Sequence, residues 1–467
     1  MYSRIGEVTG GNLTSGYLTN QGVTNRPGAL CTDTGYRLPA TGYRLPAPIP
    51  SYAEAARDLQ DLDRSKPWEE EQPMRFRIPA MLALVATSTL LATTGIAGAS
   101  TGSTQRHLTS IWFSTPTDGY GAVTRSIVST TGNSATCTDF IGRTTDGGHH
   151  FSDFTTIHTW NCMNAEDAAN LVFDGVGDGF FYGPNLYETH NNGDTWTRVA
   201  VTGQVVTISP VGRSTWMVEA MCTPKDLAGD LLCPLRMQQS SNGGRTWSTT
   251  RDLPGYSYMR AGSINPSAQG QTVLARLGPQ SAMYSVEPFI TGNFRSRRIP
   301  TWVTNNAGRS WIRRDIVCAI PAMTDMLAVT PSGALVVVCA GEASAGSQEK
   351  SVVRSTNEGL RWTTMSQCPT PLSSCRGPLI IGYLGALVAP SDSLVVESGL
   401  RSGLNVSHDR GRTWSSTYGA IWDNGDGATS LQFFNSQEGV GMASSSNLIV
   451  DTVDGGTHWK TFRARVG

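Results

Sequence analysis

The sequence predicts an all-β fold, a seven-bladed β-propeller, on three observations. A short turn pattern recurs seven times at near-regular spacing, and a large ring closes each copy. The chain of 467 residues also carries 51 glycines and 12 tryptophans while only 16% of it is charged. Many tight turns between short, ring-rich strands describe an all-β protein better than a helical one. The formal net charge of −1 leaves no electrostatic footprint for nucleic acid, so none is expected among the partners.

Each copy reads Ser/Thr, any residue, Asp or Asn, any residue, Gly, then Trp or Phe three positions on. The copies are TTDGGHHF from Thr144, THNNGDTW from Thr189, SSNGGRTW from Ser240, TNNAGRSW from Thr304, STNEGLRW from Ser355, SHDRGRTW from Ser407 and TVDGGTHW from Thr452. Their Asp/Asn positions are Asp146, Asn191, Asn242, Asn306, Asn357, Asp409 and Asp454, separated by 45, 51, 64, 51, 52 and 45 residues. Asp or Asn accepts hydrogen bonds from the N–H groups that follow it, and the hydroxyl joins the same Asx-type network. Gly148, Gly193, Gly244, Gly308, Gly359, Gly411 and Gly456 supply the positive φ such a turn demands. The closing ring buries apolar area beneath the hairpin, and β-rich runs on either side make each copy a link between two strands.

A second element agrees with this period. Phe113–Tyr120, Phe173–Phe180 and Phe433–Val440 each join a strand ending in Phe to another through a glycine turn, ahead of the first, second and seventh copies. It reads as the inner hairpin of the same blade, and a blade of about 51 residues is of propeller size. The 64-residue gap implies an insertion of roughly a dozen residues within Ser281–Arg298.

The seven turns resemble the Asp-box, or BNR repeat, of the sialidase-like superfamily, over roughly residues 105–467. The resemblance implies one box per blade, between the third and outermost strands. The inner hairpins make the chain more similar to exported propellers related to photosystem II assembly factors, which are not enzymes, than to sialidases.

Export has its own signal. Arg75 and Arg77 precede an uncharged run from Ile78 to Ile96, and Ala97-Gly98-Ala99 forms a small-residue site before Ser100. Residues 74–99 therefore read as a secretory signal peptide or, uncleaved, as a membrane anchor. In the second case they would be the chain's one membrane contact. Residues 1–73, with the direct repeat TGYRLPA-TGYRLPA and the acidic run Glu69–Glu71, show no period that would bury a face and read as disordered. They are either a cytoplasmic tail or lie upstream of a true start at Met74. Eight cysteines follow the export segment: Cys137, Cys162, Cys222, Cys233, Cys318, Cys339, Cys368 and Cys375. An even number suits a disulfide framework outside the cytoplasm. Pairing sequence neighbours, 137–162, 222–233, 318–339 and 368–375, is the simplest of the 105 connectivities.

No catalytic, cofactor or metal residues are assigned. A sialidase-type site needs an arginine cluster, an acid beside the leaving oxygen and a tyrosine nucleophile raised by a glutamate. Phe76-Arg77-Ile78-Pro79 matches the arginine-bearing motif of that family, but Arg77 already serves export, and no Asp or Glu occurs between it and Asp118. Arg298-Ile299-Pro300 echoes the motif at the wrong place and reads as a strand edge. His149, His150 and His158 are close in sequence, yet the first two sit within a box turn. Tyr256-Ser257-Tyr258-Met259-Arg260 reads as a strand with alternating sides. Two functions follow: a non-catalytic recognition or scaffold propeller binding a protein or glycan outside the cytoplasm, or a sialidase-like glycoside hydrolase with a diverged site. A carboxylate pair with arginines at the mouth of the central channel would mark the second.

Overall fold

The computed structural model describes residues 104–467 except 130–133, 163–169, 184, 222–230, 260–272, 286–295, 345–346, 369–381, 401–402, 418–427 and 444–446. These residues form seven four-stranded antiparallel sheets, each ordered as the strands follow in sequence. Blade one is Thr104–Phe113, Gly119–Val128, Ala135–Thr144 and His150–Asn161. Blades two to seven start at Asn170, Gln204, Val273, Thr324, Tyr383 and Ala428. The chain is thus an all-β, seven-bladed propeller.

The glycine that opens the second strand has a steric cause. Phe113 pairs with Gly119, Phe173 with Gly179 and Phe433 with Gly439. The phenyl ring lies flat across its glycine partner. A Cβ there would sit 2.6, 2.4 and 2.8 Å from the ring carbons, inside van der Waals contact, so no other residue fits without moving the ring.

The longest gap between boxes has an explanation in blade four. Its second strand takes Ala282–Ser285, within the segment expected to be inserted, so the extra chain falls between Ser285 and Thr301. Part of it, Arg298–Ile299, pairs antiparallel with Ile316–Val317. A strand edge is what the sequence suggested for Arg298-Ile299-Pro300.

Apolar clusters lie between successive blades. Blade three meets blade four through Trp216, Met237 and Tyr284, and blade four meets blade five through Met283, Ile299 and Val337. Blade seven meets blade one through Leu108, Phe113, Phe151, Met442 and Ile449, which closes the ring. Polar clasps reinforce that seam. The Gln432 side chain accepts from the Phe113 N–H at 3.0 Å and donates to its carbonyl at 2.6 Å. Beyond blade seven, Arg465–Val466 pairs in parallel with His150–Phe151 on blade one.

Candidate functional site

The seven Asp/Asn residues lie at one end of every blade, where the third strand turns into the fourth. Their geometry is uniform. The Ser/Thr hydroxyl donates to the Asp/Asn Oδ1 at 2.8–3.0 Å. The glycine N–H donates back to that hydroxyl at 2.8–3.0 Å. A third bond, from the backbone four residues past the Asp/Asn, closes the loop at 2.8–3.0 Å. Burial works against the charge of Asp146 and Asp409, yet the donors around each outweigh it and hold the carboxyl down at about 2. For Asp454 the His458 N–H is the largest influence, with the same result. These groups bind the chain to itself.

The glycine at its end has φ between +70 and +94°, as the pattern demands. Two features of the turn were not legible in it. The residue before the glycine is also left-handed in all seven, although four of these are Asn192, Ala307, Glu358 and Arg410. The glycine also faces the preceding blade. A Cβ on Gly193 would meet Tyr120, on Gly244 Phe180, on Gly308 Met237, on Gly359 Met283, on Gly411 Val352 and on Gly456 Val406. Gly148 of blade one meets Ile449 of blade seven. The same glycine serves backbone conformation and blade-to-blade approach.

On the box side, a concavity of about 460 Å³ is walled by Val211, Leu277, Val329, Pro331, Pro390 and Phe434, from the inner ends of blades three to seven. Among the described residues, Arg276 is its one charged lining residue. That guanidinium lies 4.0 Å over the Trp216 ring and donates to the carbonyls of Ser209, Ser214, Gly278 and Pro279. Burial lowers it to about 10. It is a tie between blades three and four, and no carboxylate of the described residues lines the concavity.

Carboxylates instead lie buried within and between blades. Glu219 of blade three accepts from Gln238 at 2.6 Å. Asp325, on the inner strand of blade five, accepts from Ser285 of blade four at 3.1 Å. Glu397 of blade six accepts from Asn405 at 2.6 Å and faces Lys350 of blade five at 3.8 Å, both fully buried. Burial pushes Glu397 up and Lys350 down, each partly offset by the other. Lys350 also donates to the Gly382 carbonyl at 3.0 Å. The readable signal was a charge inside an apolar run, as in Leu394-Val395-Val396-Glu397.

Cys137–Cys162 and Cys318–Cys339 are disulfides. Cys233 is also disulfide-bonded, while Cys222 and Cys375 lie outside the described residues and nothing is described of the Cys368 side chain. The histidines do not converge. His149 stacks on Phe462 at 3.8 Å, His150 bonds Asp146 at 2.6 Å, and His158 faces Asp139 at 3.4 Å. Tyr256–Met259 ends the outermost strand of blade three, while Arg77 and Arg260 lie outside the described residues.

The sequence matches no protein-family model and no curated protein sequence. Among solved structures, one titled YCF48 bound to D1 peptide is 16% identical, covering 76% of this chain and 95% of its own with a TM-score of 0.47. YCF48 from Cyanidioschyzon merolae is 15% identical, covering 64% and 86%, with a TM-score of 0.42. A GH74 xyloglucanase from Xanthomonas campestris is 13% identical, covering 78% of this chain and 56% of its own, with a TM-score of 0.47. Identities this low assign neither an activity nor a partner.

Proposed function

We propose that the chain is an exported, non-catalytic recognition propeller built on Asp-box repeats, which holds a protein or glycan partner outside the cytoplasm. The observation that carries this reading is how its carboxylates are engaged. Asp146, Asp409 and Asp454 hold box turns, and Glu219, Asp325 and Glu397 each answer to a different side-chain partner within the ring. Glycoside hydrolysis asks for two carboxyl groups facing one another across a sugar, roughly 5–9.5 Å apart. These six carboxylates instead act as joints. The disulfides suit export, because such bonds persist in oxidising compartments.

The purified full chain is expected to leave sialosides and aryl glycosides intact. It should also retain a partner from the extracytoplasmic fraction of its own cells in a crosslinking experiment. Hydrolysis that disappears when Glu219, Asp325 or Glu397 is replaced by its amide would assign the ring to the glycoside hydrolases and reject this reading.

A further inference from the structure

Where the third box turn rests on blade two, the contact is made of titratable side chains. Asp178 lies in the inner-hairpin turn of blade two, Glu188 on its third strand and His190 in its box turn. Each of the three side chains is less than a third exposed. From the third box turn, Arg245 donates to Asp178 Oδ2 at 3.0 Å. The fit is close. A Cβ on Gly243 would overlap the Asp178 carboxylate, and one on Gly244 would lie 3.2 Å from Glu188. The Gly243 N–H donates to the Arg213 carbonyl at 2.9 Å, which joins the same turn to the inner hairpin of blade three. Val211, on that hairpin, walls the concavity.

His190 stands between the two carboxylates. Its Nδ1 lies 3.0 Å from Asp178 Oδ1 and its Nε2 3.4 Å from Glu188 Oε1. A neutral imidazole carries hydrogen on one nitrogen only. Whichever nitrogen that is, the lone pair of the other faces a carboxylate oxygen. One further proton removes the clash, on the second nitrogen or on Glu188. The charges agree with this count. Two carboxylates balance Arg245 and a charged His190, whereas a neutral His190 leaves the four groups at −1. Burial pushes Glu188 up, and the opposing pulls of His190, Trp247 and Arg245 only partly offset it.

We propose that Asp178, Glu188, His190 and Arg245 form a proton-operated joint, which seats the third box turn on blade two in mild acid and loosens it as the pH rises past neutral. The seated contact holds the extra proton more tightly than the opened one does. Its contribution is therefore present in acid and lost as the pH rises. Histidine places that change between about pH 5 and 8. Because the Gly243–Arg213 bond ties the turn to the edge of the concavity, seating also steadies the Val211 wall. The joint does not depend on the recognition reading above.

Hydrogen exchange of the full chain, followed by mass spectrometry at about pH 5.5 and 8, tests the joint. Each rate is divided by that of the unfolded peptide at the same pH, which removes the ordinary pH dependence of exchange. Peptides covering residues 207–213 and 240–247 are expected to lose protection by about three- to ten-fold at the higher pH. His190→Gln removes the titrating ring, and Glu188→Gln removes the carboxylate that faces its second nitrogen. In each variant the protection should be equal at the two pH values. Equal protection at both pH values in the unaltered chain would overturn the joint. So would a loss retained by either variant, or one spread alike over all seven box turns.

Discussion

Replacing Asp325 with asparagine should make the ring more stable at pH 8 and remove a pH dependence that the unaltered chain shows. The carboxyl lies between blades four and five, 3% exposed. Burial raises it from 3.8 to about 7, and the single hydrogen bond from Ser285 is too little to offset the loss of water. Its other oxygen has no partner. The sign follows from where the proton is held more tightly. Because the folded carboxyl has the higher pKa, its contribution is fully present below about pH 4, declines as pH rises through about 7, and is flat above. A difference of about 3 pKa units corresponds to a ceiling of about 4 kcal/mol. Asparagine is nearly isosteric, stays neutral and still accepts the Ser285 hydroxyl. Urea unfolding of both proteins at steps from pH 4 to pH 8 would measure the difference, which cancels the other titrating groups common to both. A gap in favour of Asp325→Asn that opens between pH 4 and 7 is expected. Parallel stability curves, or a gap widening toward acid, would refute the assignment of Asp325 as a carboxyl kept neutral by burial.

Further outcomes follow from the box turns, the seam and the staples. Arg410 is left-handed and exposed, so Arg410→Gly should stabilise by roughly 0.5–1 kcal/mol. Gly411→Ala, placed 2.9 Å from Val352 and at φ +88°, should destabilise by about 1–3 kcal/mol, both effects being read by thermal melts. Gln432→Ala removes both clasps on Phe113 and is expected to cost roughly 1–3 kcal/mol at the seam, read by urea unfolding. Replacing Cys318 and Cys339 with alanine opens a link across 21 residues, a loss of about 3 kcal/mol. Thiol titration of the denatured, unreduced protein should find no free thiol among residues 100–467.

Much of the architecture could be read in the sequence because the box turn is local. Thr144, Asp146, Gly148 and His150 bond one another within six residues, so their spacing alone announces the turn. The inner hairpins were legible for the same reason, since Phe113 and Gly119 are six positions apart and meet directly. Other features left no trace. Ala307 and Glu358 take a left-handed conformation that their side chains disfavour, because the turn around them dictates it. The seam joins Phe113 to Gln432 across 319 positions, and no spacing rule reaches that far. Asp325 looks like an ordinary polar residue of a strand until the blade beside it is known.

The closing contact between blades seven and one changes how disruption can spread. An open stack of seven units has six interfaces and two exposed ends, and it frays from either end. Closing the stack adds a seventh interface and leaves no end from which to fray. To loosen any one blade, two interfaces must give way together, or the circle must first part at one of them. Parting at the seam leaves the separated edges tethered by the remaining blades, so each stays at high effective concentration near the other and re-forms readily. Local damage at blade one or seven is therefore expected to show itself as faster opening and closing before it shows as loss of the fold.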